Sequence, residues 1–233
     1  MIRVLQSFED VGEAILRLQR MEYPLHDMPQ KNWDMIQIHE ILRQVKPKSV
    51  LDMGCGGLRV LLLCHHMGVP NCFGIDSRLT ITERLTPYVY AMGFHPMAGT
   101  RSMRLPFALF QEDLTKTRFR SSSFDVLLCV SVIEHEVNLD SFFKEASRLL
   151  RRGGTLFVST DYWEPKIEID ESLMPYGLRW NVFSKKEIEN LIDVAGRHDL
   201  FVGDKQIPGV KRRNVCWFGH EYTFISLVFR KEG

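Results

Sequence analysis

The sequence predicts an α/β fold in which a doubly wound, mostly parallel sheet of seven strands follows an N-terminal helical extension. From Ser49 onward, short apolar runs alternate with stretches of helical periodicity, which is typical of βαβ units. A glycine-rich turn from Gly54 to Gly57 follows the first of these runs, as expected where a strand passes sharply into a helix. The first fifty residues instead show two helical patterns, which form the extension.

The individual elements follow from periodicity and capping residues. Ser7 precedes a helical pattern over residues 8–20 and can cap its N-terminus. The segment 23–31 interrupts this pattern, and a second amphipathic helix is expected from Trp33 to Val45. In the remainder, strands are predicted at about 49–53, 72–76, 107–111, 125–130, 155–160, 200–204 and 222–230, and helices near 58–67, 79–92, 139–150 and 185–196.

The composition is that of an ordinary globular chain. Of its 233 residues, 45% are hydrophobic and 25% are charged, which is enough for a sizeable core. We expect the helical extension over residues 1–46 and one α/β domain over 47–233. The formal net charge of +1 gives no overall attraction to nucleic acid or to an anionic membrane. No segment has the pattern of a secretory signal or a membrane span, so a cytoplasmic location is expected.

The cysteine pattern disfavours metal binding. The five cysteines include no Cys-x-x-Cys pair, and three of them lie in strongly apolar segments. Neither a zinc site nor a disulfide framework is therefore expected, and no metal is assigned to the site.

The glycine turn and a spaced carboxylate predict a nucleoside-binding site. Asp76 follows Gly56 by twenty residues and ends the next predicted strand, where it can accept hydrogen bonds from the two hydroxyls of a ribose. The alternative is a structural turn with no ligand. The turn reads Gly-x-Gly-Gly and lacks the Gly-x-Gly-x-x-Gly spacing that supports a pyrophosphate, which disfavours NAD and NADP. A cationic sulfonium with an amino-acid tail fits this turn better.

Four segments resemble, in order, the motifs of the class I S-adenosylmethionine-dependent methyltransferases, and in particular their type 11 subgroup. Residues 52–56, Asp-Met-Gly-Cys-Gly, are similar to the first motif, although Leu58 stands where the family usually has a third glycine. Residues 112–114 resemble the acidic pair after the third strand. The segment 123–135, which ends in Glu-His, resembles the fourth strand, and 148–156 resembles the helix, turn and strand that follow.

This resemblance, which covers about residues 45–200, implies a Rossmann-like fold that binds S-adenosylmethionine. It implies that Asp76 binds the ribose and that Asp113 receives the adenine amino group. The residues expected to contact the cofactor are Asp52, Gly54, Cys55, Gly56, Asp76, Ser77, Asp113, Leu114 and Val130.

His135 is the candidate general base. Methyl transfer from a sulfonium is an in-line displacement that needs a base only when the acceptor is a hydroxyl or a protonated amine. His135 follows the fourth strand at the edge where parallel sheets bind ligands, and kcat/KM is then expected to rise through pH 6–7. The alternative is that Glu134 and His135 support the loop. Asp161 and Tyr162, expected just after the fifth strand, either hold the acceptor in line or pack the loop.

The acceptor is expected to be a small polar molecule, with O-methylation of a sugar or glycan hydroxyl as the preferred reaction. N-methylation of a small amine and a non-catalytic, cofactor-binding partner protein are the alternatives. Nucleic-acid methylation is disfavoured because no basic face with interleaved aromatic residues is evident. A basic cluster either binds an anionic group on the acceptor or is a solvated face; its members are Lys205, Lys211, Arg212 and Arg213.

Overall fold

The computed structural model of the protein describes residues 1–91 and 105–232. The last residue of the helix predicted over 79–92 lies outside these ranges. The described strands are β1 (Ile2–Val4), β2 (Ser49–Met53), β3 (Asn71–Asp76), β4 (Ala108–Gln111), β5 (Phe124–Val130), β6 (Leu150–Tyr162), β7 (Leu200–Phe201), β8 (Val215–Trp217) and β9 (His220–Lys231). The α-helices are α1 (Phe8–Arg20), α2 (Asn32–Val45), α3 (Arg59–His66), α4 (Ile81–Ala91), α5 (Leu139–Leu149) and α6 (Lys185–Gly196).

The strands form one mixed sheet with the order β1-β9-β6-β5-β2-β3-β4. Strands β2 to β6 pair with one another in parallel, whereas β9 pairs antiparallel with β1, β6, β7 and β8. The predicted Rossmann-like architecture is confirmed. Within the described residues, the sheet contains the seven strands predicted from the sequence and two further short strands, β1 and β8.

The centre of the sheet is apolar on both faces, as a parallel sheet between two helical layers requires. All five residues of β2 are buried. Helices α5 and α6 share one apolar cluster with the sheet, and α2 and α3 share a second cluster that includes Leu61, Val126 and Phe157. The parallel strands therefore end together at one edge of the molecule, where their loops converge.

The N-terminal extension packs directly on the sheet. Ser7 and Asp10 form a reciprocal capping box at the start of α1, which agrees with the predicted helix boundary. Leu18 of α1 and Ile38 of α2 are both fully buried in the cluster that contains α3. The extension is thus continuous with the core through its helices, and the loop between them, residues 21–31, lies at the edge where the parallel strands end.

Strand β6 is longer than predicted, and this changes the position of two candidate residues. It runs antiparallel to β9 up to the pairs Asp161 with Phe224 and Tyr162 with Thr223. Asp161 and Tyr162 are therefore the last two residues of the strand and are buried, instead of lying in the loop after it. Long pairing with an antiparallel partner extends a strand beyond the length that its own sequence suggests.

Within the two described ranges, the helices are all too short or too polar to cross a bilayer.

Candidate functional site

A cavity of about 930 Å³ opens at the edge where the parallel strands end. Its wall is formed by the loops that follow β2, β3, β4 and β5. The segment 26–31 of the extension and Tyr176 close the cavity from the other side. Its volume lies in the range of small-molecule and cofactor sites.

The turn after β2 is shaped by Gly54. Its φ of +90° belongs to a region that favours glycine, and the N–H groups of Gly54 and Cys55 both donate to the carbonyl of Ile75, at 2.8 and 3.0 Å. A Cβ at Gly54 would lie 2.2 Å from Cγ2 of Val132. Only glycine therefore allows the turn to lie against both β3 and the loop after β5.

Leu58 stands at the position where the resemblance described above leads to the expectation of a third glycine. Its φ of +59° is left-handed, so the backbone adopts the conformation for which a glycine would be suited. That conformation costs a leucine about 1–2 kcal/mol. The Leu58 side chain is 3% exposed and packs in the core, and such burial is worth about 1.5–3 kcal/mol. The loop thus keeps its shape without the third glycine.

Asp76 and Asp113 present carboxylates to the cavity. Asp76 accepts a hydrogen bond from the backbone of Arg78 through Oδ1 at 2.8 Å, while its Oδ2 lies toward Gly56, 3.6 Å from where a Cβ of that glycine would stand. Burial raises the pKa of Asp76 above its usual value. Asp113 accepts hydrogen bonds from the backbone and hydroxyl of Thr115 at 2.8 and 2.7 Å, and this turn fixes its position.

The cavity brings together most of the residues predicted to bind the cofactor. Those on its wall are Gly54, Gly56, Asp76, Ser77, Asp113, Leu114 and Val130. Asp52 and Cys55 are not on the wall and are 2% and 1% exposed. Burial and the nearby Asp76 raise the pKa of Asp52 to about 8. These two residues support the turn from beneath. Because neither lies on the cavity wall, the structure does not support the expectation that they contact the cofactor.

His135 also lies on the cavity wall. Burial and the charge of Lys31 lower the pKa of its imidazole to about 4, so the ring is neutral at physiological pH. Its Nδ1 is buried and has no hydrogen-bond partner among the described residues. The ring meets Tyr176 and Trp217 edge-on, with centroids 5.5 and 6.1 Å away. The imidazole is thus held by aromatic packing, and its Nδ1 makes no structural hydrogen bond.

Lys31 is a site residue that the sequence did not indicate. Its side chain is buried on the cavity wall, where it donates to the hydroxyl of Ser131 and lies 3.6 Å from Oδ2 of Asp34. The ammonium also lies over the ring of Phe224, 3.5 Å from the centroid. A lysine at the start of an amphipathic helix is usually solvated, and its burial here depends on tertiary contacts. A cation in this position is suited to a ligand carboxylate.

Three buried carboxylates surround this ammonium. Asp34 is fully buried, Glu134 accepts a hydrogen bond from the hydroxyl of Thr160 at 2.9 Å, and Asp161 accepts one from Nε1 of Trp180 at 2.8 Å. Burial raises the pKa of each of the three. One ammonium does not balance three carboxylates, so the cluster retains protons at pH values at which exposed carboxyl groups are ionised.

Asp161 and Tyr162 do not lie on the cavity wall. Asp161 belongs to the buried charged cluster, and Tyr162 packs in the apolar core with the α5 and α6 side of the sheet. The structure therefore offers neither side chain to an acceptor, and the ring next to His135 is that of Tyr176. Trp217, in the unpredicted strand β8, lies behind both rings.

The basic cluster of the last long loop is separate from the cavity. Lys205 pairs with Asp193 at 3.4 Å, and the guanidinium of Arg213 lies over the ring of Trp163 at 4.9 Å. None of its four members lies on the wall of the cavity. Its side chains are solvated or engaged with other surface groups, and the expected contact with an anionic acceptor has no geometric support.

Comparison with known proteins agrees with this geometry. Residues 51–158 match the type 11 family of methyltransferase domains. The chain is 27% identical over 177 residues to the ubiquinone biosynthesis O-methyltransferase of Pelagibacter ubique, a match that covers 72% of this chain and 67% of that protein. It is 23% identical over 168 residues to the mitochondrial ubiquinone biosynthesis O-methyltransferase of Homo sapiens, covering 71% of this chain but only 40% of the human protein.

A solved structure shares the fold over almost the whole chain. The 1,6-didemethyltoxoflavin-N1-methyltransferase of Burkholderia thailandensis, determined with S-adenosylhomocysteine, superposes with a TM-score of 0.59 at 14% identity and covers 98% of this chain and 92% of its own. The fold is that of the class I S-adenosylmethionine-dependent methyltransferases, and residues 51–158 of the chain match a methyltransferase domain of the type 11 kind.

Proposed function

We propose that the protein methylates a ring hydroxyl of a small aromatic molecule and that His135 accepts the hydroxyl proton. One observation carries this proposal: His135 lies on the same cavity wall as Asp76 and Asp113, and its imidazole is neutral. A neutral imidazole within the cavity is available to receive a proton. The relatives named above are O-methyltransferases of ubiquinone biosynthesis, which supports a hydroxyl acceptor.

The described residues fit S-adenosylmethionine at one end of the cavity. We assign the ribose hydroxyls to Asp76, because its carboxylate lies on the cavity wall at the end of β3, beside the glycine turn. We assign the adenine amino group to Asp113. When bound, the cofactor supplies an electrophilic methyl group on a sulfonium. The chain itself has to exclude water and place the acceptor oxygen in line with that methyl group.

The low basicity of His135 favours a phenolic hydroxyl over a sugar hydroxyl. A phenol has a pKa of about 10, whereas the pKa of an aliphatic hydroxyl is far higher. Proton transfer to an imidazole with a pKa of about 4 is therefore less unfavourable from a phenol than from a sugar hydroxyl. Tyr176 presents an aromatic ring beside His135, which suits a flat acceptor. Neither these contacts nor the named relatives support the sugar or glycan acceptor expected from the sequence.

N-methylation of a small amine is the second candidate. A neutral amine carries a lone pair that can accept the methyl group, so its reaction needs no base. The two candidates differ in their dependence on His135, because only the hydroxyl reaction needs a proton acceptor before the methyl group moves.

We further propose that the extension, residues 1–46, acts as a lid on the domain over 47–233. In this proposal, the part of the extension that moves is the loop between α1 and α2. Asp27 in this loop pairs with Arg59 at the start of α3, at 2.5 Å, and both residues line the cavity. Helix α2 is buried in the core, so the movement that admits ligands is confined to the loop between α1 and α2.

The test measures transfer of a labelled methyl group from S-adenosylmethionine to 3,4-dihydroxybenzoate, to methyl glucoside and to benzylamine. His135→Ala should lower kcat on the dihydroxy acid by about 10²–10⁴-fold while cofactor affinity stays nearly unchanged. His220→Ala is the matched control, because this histidine contacts Trp180 and is not on the cavity wall. Transfer to benzylamine that survives His135→Ala would establish the second candidate. Cofactor binding without transfer to any acceptor would indicate a non-catalytic protein.

A further inference from the structure

Arg78 connects the cofactor side of the cavity with its acceptor side. Its backbone N–H donates to Oδ1 of Asp76 at 2.8 Å. Its guanidinium Nη1 donates to the backbone carbonyl of Tyr176 at 2.5 Å. Arg78 and Tyr176 are 98 positions apart in the sequence, so this contact exists only in the assembled cavity. A single residue thus touches both the proposed ribose carboxylate and the aromatic residue beside the proposed base.

Tyr176 depends on its backbone contacts for its position. Its side chain is 68% exposed, so core packing does not hold it. Its φ of +57° lies in the left-handed region, which a residue other than glycine adopts only when its surroundings impose it. Two hydrogen bonds within residues 174–178 close the turn locally. Among the described residues, the bond from Arg78 ties this turn to the loop after β3.

The position of Tyr176 decides what an acceptor meets next to His135. The two rings lie edge to face with centroids 5.5 Å apart, and both belong to the cavity wall. A displacement of the turn would separate the rings and widen the space in which a flat acceptor is held. Small displacements of this kind matter, because in-line transfer requires the acceptor oxygen to be close to the methyl group and aligned with it.

We propose that Arg78 is a positioning residue that orders the acceptor wall once the cofactor ribose is bound. This inference rests on the proposed function, because it takes Asp76 as the ribose ligand. A ribose on Asp76 fixes the loop that carries Arg78. The charged hydrogen bond to the Tyr176 carbonyl then fixes the turn over residues 174–178. Occupation of the cofactor subsite and order at the acceptor subsite are therefore coupled through one side chain.

The experiment measures hydrogen–deuterium exchange of the backbone amides over residues 174–178, with and without S-adenosylhomocysteine. In the wild-type protein this ligand should slow exchange in the turn by about threefold or more, because it stabilises the closed arrangement. Arg78→Gln should abolish this ligand-dependent slowing, and Arg78→Lys should restore part of it, since lysine also donates to a carbonyl. Arg84→Gln is the matched control, because Arg84 bonds to Gln111 and does not reach Tyr176.

Calorimetric affinities for S-adenosylhomocysteine separate the possible failures. The Arg78 contact to Asp76 comes from the backbone, so Arg78→Gln should leave the affinity within about a factor of three of the wild-type value. Absence of binding to the wild-type protein would overturn the cofactor site itself. Binding without slower exchange in the turn, or with equal slowing in Arg78→Gln, would overturn the coupling and leave the cofactor site intact.

Discussion

Gly54 and Val132 approach each other so closely that a single added methyl group at Gly54 would overlap with the valine side chain. The two residues come from the loops after β2 and β5, which are adjacent parallel strands. Val132 is three positions before His135 in the sequence. The contact therefore joins the turn that we assign to the cofactor with the segment that carries the proposed base.

Gly54→Ala should destabilise the protein by about 2–5 kcal/mol, because it adds a positive-φ penalty to a steric overlap. Urea unfolding measures this loss. Gly57→Ala is the control, since Gly57 also has a positive φ, +72°, but has open space where its Cβ would stand. It should cost only about 1–2 kcal/mol.

The pair can be tested directly with a double-mutant cycle. Val132→Ala removes the atoms that the new methyl group would meet, so the combined variant should recover part of the stability lost in Gly54→Ala. Strict additivity of the two single losses would show that the contact has no role.

Asp76→Asn should weaken the binding of S-adenosylmethionine by about 1–3 kcal/mol, which is the usual loss for a charged hydrogen bond. Isothermal titration calorimetry measures the change. Glu136→Gln is the control, because it removes a carboxylate from the same wall at a residue with no assigned contact to the cofactor or to the lid loop. Equal losses in the two variants would point to the overall charge of the cavity and would remove the ribose assignment.

The pH dependence of the hydroxyl reaction should follow His135 at about pH 4. A general base works when it is unprotonated, so kcat/KM should rise as pH increases through about 4 and should show no further titration of this group from pH 5.5 to 8. The sequence alone predicted a rise through pH 6–7, and burial beside Lys31 accounts for the difference. A rise centred on pH 6–7 would contradict the structural origin of the shift.

Lys31→Met should raise the pKa of His135 toward its usual value without restoring it fully, because burial, the larger cause, remains. The imidazole signals in NMR titrations report this change. His39 is the control: its pKa is lowered by burial and by Arg43 and Arg17, so its titration should not move.

The Glu134→Gln variant should gain stability relative to the wild-type protein as pH rises. Burial raises the pKa of Glu134, so above about pH 4.5 the folded state holds a proton that the unfolded state has lost. This contribution to stability is present at low pH and is lost as pH rises through the raised pKa. Glutamine has no proton to lose. The difference in free energy of unfolding between the variant and the wild type should therefore shift in favour of the variant between pH 6 and pH 9.

Glu145→Gln is the comparison, because the pKa of Glu145 is shifted in the opposite direction to that of Glu134. Burial alone would raise the pKa of Glu145, but hydrogen bonds from Arg148 and Thr117 lower it below its usual value. Its stabilising contribution is therefore present at neutral pH and is lost on acidification. Glu145→Gln should be destabilising at both pH 6 and pH 9, with no gain at the higher value.

Local patterns were sufficient for the elements that have strong local signals. The strand over 49–53 and the helix over 185–196 lie where the sequence predicts them, because apolar periodicity and the capping box of Ser184 and Glu187 act over a few residues. Strands β1 and β8 have three residues each and form only by pairing with β9. Nothing in so short a segment distinguishes a strand from a loop.

The candidate site likewise has one part with local sequence signals and one part that depends on tertiary contacts. Gly54 and Asp76 belong to a motif that can be read within thirty residues of sequence. The cofactor side was therefore accessible to prediction. The contacts of Lys31 with Ser131 and of Arg78 with Tyr176 join residues about a hundred positions apart, and they belong to the side of the cavity that we assign to the acceptor. Such contacts arise only once the chain is folded.

Strand β9 has a consequence for how the protein is made. It pairs with β1, β6, β7 and β8, and every one of these strands precedes it in the chain. During synthesis, the edge of β6 from Thr155 to Tyr162 therefore leaves the ribosome before its antiparallel partner, with unpaired backbone groups. Sheet closure is set by the arrival of this late strand, and a ribosome that pauses before residue 220 leaves a nascent chain with an open, aggregation-prone edge.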